Sequence, residues 1–115
     1  MENKKQAQSR GLSGPRVAVT SISFSKSKVL RKELERVFQN SFFNESGRRF
    51  SETELIEFLK DAEAAVVGIE PITDQILSKT PHLRIIAKYG VGLDTIDQES
   101  LKRRNITLGW TGGVN

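Results

Sequence analysis

From residue 16 onward the apolar positions of this chain alternate between two rhythms. Short β-branched or apolar runs read as strands: "RVAVTS" from Arg16 to Ser21, "SFFN" at 41–44, "AAVVGI" from Ala64 to Ile69, "LRIIAKY" from Leu83 to Tyr89 and "NITLGW" at 105–110. Helical spacing fills the gaps. Leu30, Leu34, Val37 and Phe38 form one stripe behind Ser27 as N-cap, and Leu55, Phe58, Leu59 and Ala62 form another. The second stripe opens with Ser51 followed by Glu54, the spacing of a capping box. Thr73 is placed to cap "DQILSK", whose Ile76 and Leu77 point inward, and Asp97 to cap "QESLKRR", whose basic end suits a helix C-terminus.

Strands and helices in strict alternation with short connections predict an α/β fold. Right-handed crossovers then impose a parallel five-stranded sheet with helices on both faces. Residues 1–14 are polar and aperiodic and read as a flexible tail. The chain ends at "TGGVN", directly after the fifth strand, with the final helix missing that would cover one sheet face. An open face of that kind is a large apolar patch. We therefore expect a longer protein, or another chain, over it, and homo-oligomer formation through the uncovered face if the chain stands alone.

Composition narrows the function. The 115 residues suffice for one small domain, and the absence of cysteine excludes disulfides, thiolate metal sites and a cysteine nucleophile. The N-terminus has basic residues but no apolar core, so it does not read as a signal peptide. No apolar run approaches membrane-spanning length. The cytoplasm is the expected compartment. Of the net charge of +4, Lys4, Lys5, Arg10 and Arg16 against Glu2 account for all but one unit. Elsewhere lysines and arginines interleave with Glu33 and Glu35, as on a solvated helix face, so nucleic acid is not the expected partner.

The candidate chemistry lies in "KYGVGLDTID", from Lys88 to Asp97. It opens like a dinucleotide fingerprint but carries Thr95 where the third glycine belongs, and its helix starts too late. Two glycines at the carboxyl end of a parallel strand still let backbone approach a ligand. The N–H groups of Val91 and Gly92 could then hold an anion such as a carboxylate. The alternative is a turn that only links strand to helix. His82, the single histidine, precedes the fourth strand and reads as a surface residue. Glu52, Glu54 and Glu57 gather at a helix start without converging, which is not a metal site. Ser21, Ser23, Ser25 and Ser27 alternate after the first strand and could line a cleft mouth; the alternative is a polar loop and a cap.

The string "IIAKYGVGLDTID", with "GIEPITDQIL" before it and "TLGWTGGVN" after it, resembles the substrate-binding domain of the D-isomer-specific 2-hydroxyacid dehydrogenases. The likeness runs from about Val17 to the C-terminus, and within the family it leans to the phosphoglycerate dehydrogenase branch. It implies a flavodoxin-like substrate domain, here residues 15–115, split in sequence around an NAD-binding domain that is absent from this chain. It also implies a small 2-hydroxy or 2-keto acid as substrate and NAD(H) as cofactor of the parent enzyme. The family's catalytic arginine, glutamate and histidine would lie in the cofactor domain, leaving no catalytic residue and no cofactor-binding residue here. By position, Tyr89, Gly90, Val91 and Gly92 match the loop that holds the substrate carboxylate. Gly68, Ile69 and Glu70 match a second strand end facing the cleft. Some phosphoglycerate dehydrogenases carry a basic residue and a serine there, where this chain has "VGIEP". A segment of this kind would be inactive alone. A stand-alone, non-catalytic α/β binding or interaction module is the second reading.

Overall fold

The computed structural model describes residues 14–90 and 92–109. Five short strands, β1 (Val17–Val19), β2 (Ser41–Phe43), β3 (Ala64–Val67), β4 (Ile85–Lys88) and β5 (Thr107–Gly109), form one sheet in which every pairing is parallel. Their spatial order is β2-β1-β3-β4-β5, the flavodoxin-like order, with its switch point between β1 and β3. The expected α/β class and strand count are met.

The connections from β2 through β5 all cross the sheet in one direction and lay their helices on one face. These are α3 (Glu52–Leu59), α4 (Asp74–Ser78) and α5 (Gln98–Arg103). The β1 to β2 connection runs the other way and carries α1 (Ile22–Lys26) and α2 (Lys28–Val37) to the opposite face. The core sits under the three-helix face, where Leu55, Leu59, Ile76, Leu77 and Leu101 close over Ala18, Ala65, Val67 and Ile86.

The opposite face is covered unevenly. Beside β1 and β2, Val17, Val19 and Phe43 are buried, and the Arg31 guanidinium lies 4.3 Å above the Phe43 ring. Toward β4 and β5 the same face opens: Ile85 is 47% exposed, and Thr107 and Gly109 are exposed. In β3, Ala65 and Val67 are buried whereas Ala64 and Val66 are only half-buried. A continuous apolar run, the kind expected of a strand covered on both faces, is therefore fully covered on one. The α2 stripe departs from expectation in the same way. None of its residues is buried, and Val37 and Phe38 are 66% and 38% exposed.

Four helix starts follow the capping chemistry of the sequence. Ser27, Ser51, Thr73 and Asp97 each accept a backbone N–H from the first turn. At α3 the box is reciprocal, with Ser51 N–H donating to Glu54 Oε1 at 2.9 Å, while Arg48 donates to both Glu54 oxygens at 2.8 and 2.6 Å. The Arg48 bonds first, and the Ser51 N–H second, lower the Glu54 carboxyl from 4.5 to about 2. A carboxyl depressed on folding stabilises above its unfolded pKa and loses that contribution as pH falls through its folded pKa. Thermal midpoints of the wild type should therefore exceed those of Glu54→Gln near neutral pH, the gap closing between pH 4.5 and about 2. A gap constant across that window would contradict the assignment.

Candidate substrate-binding site

A cavity of about 390 Å³ opens at the carboxyl ends of β1, β3 and β4, lined by Ser21, Ser23, Lys26, Gly68, Ile69, Glu70, Tyr89 and Gly90 among others. It lies where open α/β sheets bind ligands, and its volume suits a small one. The two strand ends singled out in the sequence thus meet in one place. Of the other two candidates in the glycine loop, Gly92 is not among the residues lining the cavity, and Val91 lies outside the described residues, as do Trp110 and the segment after it.

The β4 end supplies main-chain groups. Gly90 and Gly92 adopt φ of +125° and +84°, values that side-chain-bearing residues adopt only with strain. Tyr89 stays anchored to the sheet through its N–H, which donates to Val67 O at 2.8 Å. Lys88 ends the strand with its ammonium 3.6 Å from where a Gly90 Cβ would stand, so a positive charge lies beside the loop. After Gly92 the chain does not enter a helix. It runs through Ile96, bridged in parallel to Ile72, before Asp97 caps α5. The glycines consequently have no helix N-terminus behind them for a pyrophosphate, and this loop does not fit a dinucleotide cradle.

The β3 end supplies shape. A Cβ on Gly68 would stand 3.3 Å from both Cβ and Oγ of Ser21, so glycine lets the two strand ends close together. Ile69 is 62% exposed at the rim. Glu70 differs from a solvent-facing cleft residue, being only 1% exposed. Its Oε1 accepts the Gly68 N–H at 2.8 Å and the Thr20 hydroxyl at 2.9 Å. That carboxyl oxygen ties the β1 and β3 ends to each other.

The third wall is the serine segment after β1, which the sequence offered as a possible cleft lining without its helix. Ser21, 3% exposed, caps α1 by accepting the Phe24 N–H at 3.2 Å. Phe24 packs edge-on against Tyr89, with ring centroids 5.2 Å apart. Ser25 turns inward, accepting the Asn44 N–H and donating to Val19 O. Ser21 and Ser23 do line the cleft, Ser21 as the cap of a short helix and Ser23 within it. The signal for that helix was a serine three residues before an aromatic one. His82 is exposed. Glu54 and Glu57 pair with Arg48 and Lys60. Among the described residues, no helix is long and apolar enough to cross a membrane.

An all-parallel 2-1-3-4-5 sheet with a cleft beyond its strand ends defines a flavodoxin-like α/β domain. Residues 17–115 match the family described as "D-isomer specific 2-hydroxyacid dehydrogenase, catalytic domain", and the chain belongs to that family. A glyoxylate reductase of Pyrococcus furiosus is 38% identical over 74 residues, covering 64% of this chain and 22% of that protein. A glyoxylate reductase of Korarchaeum cryptofilum is 39% identical over 61 residues, covering 52% and 18%. The NAD+-bound 3-phosphoglycerate dehydrogenase of Entamoeba histolytica shares the fold, with a TM-score of 0.74 at 20% identity, over 86% of this chain and 33% of that one. The chain thus spans about a fifth of the length of the two reductases.

Proposed function

We propose that this chain forms the substrate-side wall of an NAD-dependent D-2-hydroxyacid dehydrogenase, binding a 2-hydroxy or 2-keto acid without turning it over by itself. The single observation that carries the reading is the meeting of Tyr89 and Gly90 with Gly68 and Ile69 in one cavity at the strand ends. The loop's main-chain N–H groups would hold the substrate carboxylate, with the Lys88 charge adding to their field. The reductases named above and the 3-phosphoglycerate dehydrogenase support the acid class in common, and the latter supports NAD as the parent's cofactor. Within that class the phosphoglycerate dehydrogenase type is the finer reading, resting on the likeness of the "GVGLDTID" segment.

The test is an amide NMR titration with D-lactate and with pyruvate. The Gly90 and Gly92 resonances should move saturably, and Gly92→Ala, which strains a φ of +84°, should weaken binding by about tenfold, the order expected for a mispositioned polar contact. Shifts confined to residues away from the cavity, or matched by an equal concentration of chloride, would overturn the reading.

A further inference from the structure

We propose that Lys26 makes this site selective for 2-hydroxy or 2-keto acids that carry a second anionic group. The assignment rests on the glycine loop holding the first carboxylate. It goes further by giving the third wall of the cavity, the first β–α connection, a role in choosing the substrate.

Three contacts fix that connection to the site. Ser21 lies against Gly68 so closely that a Cβ there would stand 3.3 Å from it. Phe24 meets Tyr89 edge-on, and Ser25 is held from beneath by Asn44 N–H. The helix Ile22–Lys26 is therefore fastened to both candidate loops, and its last residue is brought to the cavity.

The charges lining the cavity are few and differ in kind. Glu70 is buried, with one carboxyl oxygen engaged by Gly68 and Thr20. Lys26 is the only cationic residue among those lining the cavity, is exposed, and forms no ion pair among the described residues. Lys88, the other cation nearby, lies beside Gly90 and is not among the residues lining the cavity. An acid with one carboxylate satisfies the loop and leaves Lys26 solvated. One with a second anionic group offers Lys26 a partner, and Ser21 and Ser23 add hydroxyls to the same lining.

An exposed ion pair contributes little, so the selectivity should be modest, about fivefold. Dissociation constants of D-malate and D-lactate, read from the Gly90 and Gly92 amides, test it. D-malate should bind about fivefold more tightly than D-lactate. Lys26→Met should bring the ratio to about one by weakening D-malate more than D-lactate, and Lys28→Met, a neighbouring charge outside the cavity, should keep the ratio. A preference that survives Lys26→Met, or that Lys28→Met abolishes equally, overturns the assignment in favour of the protein's general positive field. D-lactate binding without any D-malate preference removes this inference alone. Failure of both acids to bind removes it together with the substrate-loop reading.

Discussion

Replacing Leu59 with alanine is expected to remove about 3 kcal/mol of stability, within the range for emptying a fully buried leucine site. Leu59 ends α3, is 0% exposed, and belongs to the core formed with Ala18, Leu55, Ala62, Ala65 and Ile86. Three of those five residues are alanines, whose single methyl groups cannot swing into a void. The surrounding strands are paired on both sides, β1 between β2 and β3, and β3 between β1 and β4. The site cannot collapse easily, so the cavity contribution should persist. Against a stability of about 5–15 kcal/mol for a small domain, such a loss is a large fraction. With a urea dependence of about 2 kcal/mol per molar, the unfolding midpoint should fall by about 1.5 M. Val37→Ala on α2, at 66% exposure, should change stability by less than about 0.5 kcal/mol. Equal effects from the two substitutions would mean that the core is not where the structure puts it.

The contrast between those two positions shows what was legible in the sequence. Ser27, Ser51, Thr73 and Asp97 cap as read, because a cap is a local hydrogen bond between neighbours in sequence. The strands and their parallel pairing were legible because short apolar runs alternating with amphipathic helices leave few topologies. Spacing marked Val37 and Leu59 alike as apolar stripe members, yet one is exposed and the other is sealed. Periodicity says which side of a helix is apolar, and only the tertiary fold says whether anything packs against it. The α1 helix was hidden for a different reason. "SISFSK" alternates with a period of two and spans five helical residues, so no helical stripe could appear. Its serines looked like loop polarity, and the placement of Ser21 against Gly68 depends on two segments far apart in the chain.

Glu70 is the sharpest case of a site residue whose work the sequence could not disclose, and Glu70→Ala is expected to cost about 2–4 kcal/mol. The substitution leaves the Gly68 N–H and the buried Thr20 hydroxyl without their shared acceptor, and each such orphaned group costs about 1–3 kcal/mol. Thr20 retains only a longer contact to Val66 O at 3.5 Å. Glu70→Gln keeps a carbonyl oxygen in place and should retain most of the stability. The pair of variants, compared by urea unfolding, therefore separates the acceptor from the charge. Because Glu70 helps tie the β1 and β3 ends where Gly68 and Ser21 close on each other, Glu70→Ala should also disturb the Phe24 and Tyr89 resonances across the cavity, and Glu70→Gln should not. If Glu70→Ala were as stable as the wild type and lost only its affinity for the acid, Glu70 would act on the ligand instead. If Gln fared no better than Ala, the charge itself would hold the strand ends. Recovery with glutamine is the result expected of a residue that positions the site without touching the substrate.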